Sequence, residues 1–336
     1  MEAELTFLSE EDFLPFMEKE NRAWRESCVK EGEIRAGDQT PLRYYYAEPP
    51  KARGAVVIFH GFCEFYGKYH ELTYNLYHGG FSFFFLEQRG HGHSGGKQKE
   101  ADIVYIDDYK TYVEDQHSFL KDVVLDKSGN LPLLLFAHSM GGAVASLFLE
   151  EYPAYFRAAV FSSPMLKLKT DGTPPVMIAA ARLYMKLFRK QRALSPGQKR
   201  FSPEPVFESS SALSRARYFY QFNQRLKEKD YQTYGAAFGW TMASLDADKR
   251  LMKKADRITI PITLFTAGED HLVDQKGYEE FCAKAANVRR IDFAHSRHEI
   301  FNAKDEERRE YFKLLLKYLL HLRHVGKIIA RELRCQ

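Results

Sequence analysis

Apolar residues in this chain cluster into short, nearly unbroken runs separated by longer amphipathic stretches. Four runs come early, at 55–59, 81–86, 131–137 and 158–162. A fifth, 260–266, follows only after a long gap, and 289–293 is a weaker sixth. Near-continuous runs of this length suit parallel strands buried on both faces. Between them, 70–78, 106–124 and 142–151 carry helical spacing, and 42–47 reads as a further strand broken by Pro49-Pro50. Strands alternating with helices predict an α/β fold with an open, mostly parallel sheet flanked by helices. Ahead of the sheet, Ser9-Glu10-Glu11-Asp12 resembles a capping box and predicts one helix running to about Val29.

The long gap is informative. Residues 166–257 hold no clear strand but a basic helical stretch (176–192), a Pro/Ser-rich link (195–211) and an aromatic helical stretch (212–245). A helical cap inserted between late strands is the most economical reading, placed over the carboxyl ends where open α/β sheets bind ligands. The expected division is a core of 1–165 and 258–336, with 1–40 as an N-terminal helical extension, and a cap of 166–257. Charge sharpens it. The total is only +4, but segment 1–165 carries −9, 166–257 carries +11, 258–306 carries −3 and 307–336 carries +5. Such asymmetry implies parts with different tasks.

Composition excludes several classes. With 336 residues, 45% hydrophobic and 28% charged, the chain is neither disordered nor fibrous. No apolar run approaches the ~18 residues of a membrane span. The acidic start lacks a signal pattern, so secretion is not expected. Cys28, Cys63, Cys282 and Cys335 are scattered, which argues against a disulfide framework or zinc site and for a reducing, cytoplasmic location.

Ala137-His138-Ser139-Met140-Gly141-Gly142 follows an apolar run and opens a helix. This is a nucleophile-elbow pattern with Ala137 in place of its first glycine. A sharp strand-to-helix turn needs small neighbours, lifts Ser139 Oγ clear of the sheet and leaves helix N–H groups aimed at the reaction centre. A serine hydroxyl needs a base, and the base an orienting acid, in the order Ser, acid, His. Asp270, just past the fifth run, is the expected acid, with Asp274 the alternative unless it caps the helix from Gln275. His298 is the expected base, with His295 its rival. An oxyanion hole needs two preorganised donors. They are expected from the backbone N–H of Met140 and of Phe62, which lies in His60-Gly61-Phe62-Cys63-Glu64 after the first run.

These stretches, with Tyr66 and Tyr69, Glu87-Gln88-Arg89-Gly90-His91-Gly92-His93-Ser94-Gly95, Gly268–Asp274 and His298-Glu299-Ile300, resemble the α/β-hydrolase superfamily. More closely they look like its bacterial lysophospholipase and monoacylglycerol lipase branch. The resemblance covers about residues 40–165 and 258–320. It implies an α/β-hydrolase fold, Ser139, Asp270 and His298 as catalytic triad, and Phe62 and Met140 as oxyanion donors. Two positions depart from the usual pattern: Ala137, which is still small, and Glu87, where many relatives have Asp. Arg89 is expected to fix its loop by ion pairing.

The substrate implied is a lysophospholipid, with monoacylglycerol or a simpler carboxylic ester as alternatives. Neither metal nor organic cofactor is expected. Residues 201–245 hold ten Phe, Tyr or Trp, which could line an acyl pocket or form the cap's own core. The basic residues suit phosphate or an anionic membrane. Arg323, Lys327, Arg331 and Arg334 at the chain's end could touch lipid from the inner face of the membrane, unless that helix simply packs on the sheet. A proline-type aminopeptidase would need an acidic pocket for a free amine, opposite to the cap's sign. A non-catalytic membrane-surface protein would not need the triad. No recognition motif supports nucleic-acid binding.

Overall fold

The computed structural model describes residues 7–170 and 172–332, with side chains to residue 321. The described residues form ten strands: β1 (Lys30–Arg35), β2 (Pro41–Ala47), β3 (Ala55–Phe59), β4 (Ser82–Leu86), β5 (Ile103–Val104), β6 (Leu133–His138), β7 (Ala158–Ser162), β8 (Gly235–Ala236), β9 (Ile262–Ala267) and β10 (Val288–Phe293). Eight make one sheet in the order β1-β2-β4-β3-β6-β7-β9-β10. β1 and β2 pair antiparallel, β2 meets β4 antiparallel, and all later pairs are parallel. This is the mostly parallel, helix-flanked sheet that the apolar runs predicted, and the α/β-hydrolase arrangement that the resemblance implied.

Two buried clusters explain why those runs are unbroken. Ala55, Val57 and Phe59 of β3 and Leu133, Leu135 and Ala137 of β6 face one layer, with the helices Tyr109–Phe119, Met140–Glu151 and Phe238–Lys254. Val56, Ile58, Leu134 and Phe136 face the other, with His70–His78 and the start of Asp305–Glu332. Alternate side chains point to opposite faces, and both faces are covered, so every position is apolar. β10 is an edge strand with only Phe293 buried, hence its weak signal.

Several expectations are corrected. The N-terminal helix is two, Glu10–Glu18 and Glu20–Cys28, broken where Lys19 takes φ −114°, ψ −77°. Ser9 does cap the first, accepting the Asp12 N–H at 3.1 Å. Residues 30–35 are strand β1 rather than helical extension: its Lys-Glu-Gly-Glu-Ile-Arg sequence has one buried side chain, Ile34, and no apolar run to find. The 166–257 segment holds a two-residue strand, β8, paired with β5. Its aromatic stretch splits into Arg215–Lys227 and Phe238–Lys254. Cys28, Cys63 and Cys282 are unpaired, and Cys335 lies outside the described residues. So do the side chains of Arg323, Lys327, Arg331 and Arg334. No described helix is long and apolar enough to cross a membrane.

The N-terminal segment fastens the insertion to the sheet. Arg217 of the Arg215–Lys227 helix donates two hydrogen bonds to Glu71, each 2.7 Å. Arg308 reaches the same carboxylate at 3.0 Å, and both arginines bond the Leu8 carbonyl. Glu10 accepts from Ser214 Oγ and the Ala216 N–H, and Phe13 packs edge-on against Tyr220. Glu71 is the one acid shared by two fully buried guanidinium groups. Glu71→Ala leaves both without a carboxylate partner at that point, and the expected loss is about 3–5 kcal/mol. A urea unfolding midpoint unchanged from wild type would show that Leu8 and Asp305 suffice.

Candidate active site

The chemistry collects at the carboxyl ends of β3, β6, β9 and β10. β6 ends at His138 and the helix Met140–Glu151 begins two residues later. Ser139 between them has φ +52°, ψ −122°, a conformation costing about 1–3 kcal/mol in a non-glycine residue. Its carbonyl accepts from Gly142 N at 2.8 Å and Met165 N at 2.7 Å, and bonds worth about 1 kcal/mol each offset much of that strain. Space is as demanding as torsion. A Cβ on Gly141 would lie 2.0 Å from the Phe59 carbonyl oxygen, and one on Gly142 2.2 Å from Pro164 Cβ. Ala137, fully buried between Phe59 and Phe161 in register, sits before the turn, so its methyl group is tolerated.

Ser139, His298 and Asp270 come together. His298 Nε2 is 2.7 Å from Ser139 Oγ, and its Nδ1 is 2.7 Å from Asp270 Oδ2. Asp270 Oδ1 accepts the Leu272 and Val273 N–H groups at 2.8 and 3.2 Å, so the carboxylate is oriented from both sides. Burial alone would raise the Asp270 pKa. The His298 charge and these hydrogen bonds outweigh it, and the net shift is downward. With Asp270 accepting at Nδ1, the lone pair of Nε2 faces the serine hydroxyl. The alternatives go elsewhere. Asp274 caps Gln275–Lys284, accepting the Lys276 N–H at 3.0 Å, and His295 is exposed.

The donor loop after β3 is fixed atom by atom. His60 Nε2 accepts the Gln88 N–H at 2.8 Å, which puts the imidazole proton on Nδ1, donated to the Gly61 carbonyl at 2.7 Å. Burial holds the His60 pKa down at about 4, so the ring is neutral near pH 7. In a trans peptide C=O and N–H point opposite ways. Anchoring Gly61 O therefore sets the direction of the Phe62 N–H. Among the described residues no acceptor takes the N–H of Phe62 or of Met140, the first residue of its helix.

The flanking motif is structural. Glu87 accepts the N–H groups of Tyr66 at 2.9 Å and His93 at 2.6 Å, a span for its two oxygens that explains a longer acid here. Arg89 makes two 2.9 Å bonds to Asp115 and two, of 2.6 and 3.0 Å, to Asp38. The insertion covers the donor loop: Trp240 packs 4.2 Å from Phe62, and Tyr231 stacks 4.1 Å from Phe65. Sequence reasoning passed over Lys68 and Glu299, which form a buried ion pair beneath this loop at 2.7 Å. The available signal was their position, four residues after Glu64 and one after His298.

Comparison with known proteins agrees with this fold. Residues 50–305 match the family described as serine aminopeptidase, S33. The chain is 28% identical over 264 residues to lysophospholipase L2 of Escherichia coli strain K12, covering 77% of this chain and 75% of that protein. It is 35% identical over 135 residues to a monoacylglycerol lipase of Mycolicibacterium smegmatis, covering 40% and 46%. Among solved structures, a soluble variant of monoglyceride lipase from Saccharomyces cerevisiae superposes with TM-score 0.69 at 18% identity, covering 87% of this chain and 94% of that one. Gly141→Ala should displace the elbow, and a shift near 1 Å typically costs ~100-fold in rate. Labelling of Ser139 by a fluorophosphonate should slow accordingly, and wild-type labelling would show that the β3 backbone yields freely.

Proposed function

The chain belongs to the serine aminopeptidase S33 family of α/β-hydrolases, and on that premise we propose that it is a lysophospholipase. The coarser assignment is a carboxylic ester hydrolase acting on lipid esters. The observation that carries the finer reading's chemistry is the hydrogen-bond chain from Asp270 through His298 to Ser139, with two unengaged N–H groups beside it. Ser139 Oγ attacks the ester carbonyl while His298 Nε2 accepts its proton. Asp270 holds the imidazole and stabilises its charged form. The Phe62 and Met140 N–H groups bind the tetrahedral oxyanion. His298 protonates the leaving alcohol, then activates water to release the fatty acid.

Substrate choice rests on likeness and charge. The similarity to lysophospholipase L2 extends over three-quarters of both chains at 28% identity and that to monoglyceride lipases over nearly the same share at 26%, so likeness narrows the choice to these two lipid esters and charge decides between them. Monoacylglycerol is the second substrate. Aminopeptidase chemistry is disfavoured by the local acids. Glu64 and Glu299, beside the donor loop and His298, are both committed to Lys68, leaving neither for a free amine.

A lipid surface is the proposed place of work. On the helix Pro175–Leu187 and just beyond, Val176, Met177, Leu183, Tyr184, Leu187 and Phe188 are all exposed, Val176 by 73%. Lys186, Arg189 and Lys190 interleave with them and make no ion pair among the described residues. Apolar side chains beside unpaired cations suit an anionic interface. Three other cations of the stretch are occupied: Arg182 by Asp246, Arg200 by Asp102, and Arg192 by the Tyr105 ring.

Fatty-acid release from lysophospholipids, monoacylglycerols and short soluble esters tests the reading. Lysophospholipid should be turned over fastest, and Ser139→Ala should lose about 10⁴-fold or more. Preference for short esters would move the function to general esterase. Replacing Lys186, Arg189 and Lys190 with Gln should weaken lysophospholipid turnover more than monoacylglycerol turnover. Equal losses confined to anionic vesicles would assign these cations to membrane docking and not to the phosphate.

A further inference from the structure

The proposed mechanism uses the Phe62 N–H and His298 but no charge beneath them, yet three buried charges lie there. Lys68 Nζ is 2.5 Å from Glu64 Oε1 and 2.7 Å from Glu299 Oε1, and the three side chains are 7%, 4% and 13% exposed. The other Glu64 oxygen accepts the Gly61 N–H and the Tyr69 hydroxyl, each at 2.5 Å. The second oxygen of Glu299 accepts from Asn302 Nδ2 at 2.7 Å. Lys68 also lies over the Phe301 ring at 5.9 Å. His138 fills the space between, its ring 5.0 Å from that of His298 and its Nε2 3.5 Å from Glu64 Oε1.

Burial alone would push both carboxyl pKa values up and that of Lys68 down. Their mutual attraction reverses each shift, leaving Glu64 and Glu299 below the usual range and Lys68 above it. All three are charged at neutral pH. Such a cluster is a poor way to gain stability, because well-packed apolar side chains of similar volume are often as good or better. Geometry offers another reason for it. The donor loop leaves β3 and the histidine loop leaves β10, and these strands stand on opposite sides of β6. The ion bridge spans the two loops beside the elbow. Gly61 has no slack within it: a Cβ there would meet Glu64 Oε2 at 2.9 Å and Ser139 Cβ at 3.0 Å.

We infer that the Glu64–Lys68–Glu299 bridge is a positioning device that locks the loop presenting the Phe62 N–H to the loop presenting His298, so that donor and base keep one separation around Ser139. Glu64 holds the N–H of Gly61 while His60 holds its carbonyl, so Gly61, whose carbonyl belongs to the peptide carrying the Phe62 N–H, is gripped on both sides. Lys68 makes that grip depend on Glu299, whose chain neighbour is the base. The inference rests on Ser139 as nucleophile.

Lys68→Met cuts both arms of the bridge. The expected result is a fall in kcat of about 10- to 100-fold, less than the hundred- to thousandfold for a donor lost outright, with KM within about threefold. An alkyl boronic acid, whose tetrahedral serine adduct puts an oxygen in the same hole, should lose affinity by the same factor as kcat/KM. Lys68→Arg should restore part of both. A merely structural role would lower the unfolding midpoint and the active fraction without this parallel loss. A folded Lys68→Met with kcat and boronate affinity within about threefold of wild type would overturn the inference. Should Lys68→Met not fold, Glu299→Gln, which keeps the Lys68–Glu64 pair, decides by the same two readings. Failure of the underlying reading looks different: wild type unlabelled by fluorophosphonate, or Ser139→Ala fully active, would overturn both before any bridge variant is measured.

Discussion

Gly141 approaches the end of β3 so closely that a single added carbon would lie 2.0 Å from a backbone oxygen, and Ser139 before it is held at φ +52°. Close packing and an unfavourable torsion together press the start of the Met140–Glu151 helix against β3. That contact brings the Met140 N–H and the loop after β3 to the same side of Ser139. Parallel pairing does the rest. β6, β7, β9 and β10 run in one direction, so the loops bearing Asp270 and His298 emerge at the same edge as the elbow. A different residue at 141 would not only crowd the turn; it would separate the two N–H groups of the proposed oxyanion hole.

The charge partition takes a different meaning in three dimensions. The insertion's +11 faces a core carrying −9 and −3 in its two segments, and many of those charges meet. Arg200 pairs with Asp102, Arg217 with Glu71, Arg250 with Asp108 and Lys167 with Glu280. Each joins the insertion to the surrounding core. Exposed pairs such as Arg250–Asp108 contribute only about 0–1 kcal/mol each. The buried Arg217–Glu71–Arg308 cluster matters more, since its charges have no water to fall back on. Part of the excess positive charge is therefore countercharge. What is left for a substrate or a membrane is narrower, chiefly Lys186, Arg189 and Lys190 on the exposed apolar helix.

Sequence patterning revealed what burial enforces and missed what it does not. Strands covered on both faces, β3, β4, β6, β7 and β9, announce themselves as apolar runs. β1 has one buried side chain, and the two-residue pair β5 and β8 is too short for any period. The elbow was legible because its glycines answer to close backbone approach, and order along the chain narrowed the acid and base to two candidates each. Choosing between Asp270 and Asp274 needed the fold, because a carboxylate that caps a helix and one that orients a histidine look alike in sequence. Lys68 and Glu299 were harder to read as a pair for a deeper reason. They lie 231 residues apart, and each alone reads as an ordinary solvated charge.

The insertion bears on the chemistry as well as on access. Arg225 donates to the Cys63 carbonyl at 2.5 Å and to the Thr233 carbonyl at 2.8 Å, and Gln224 reaches the Gly67 carbonyl at 3.3 Å. Cys63 and Gly67 bracket Glu64, whose carboxylate holds the donor loop from the opposite side. The loop is thus fixed from below by the sheet's own loops and from above by the helix Arg215–Lys227, while Trp240 seals the Phe62 ring. Because that helix is also tied to Glu71 and Leu8, a displacement at the N-terminal segment has a continuous packed route to the Phe62 N–H.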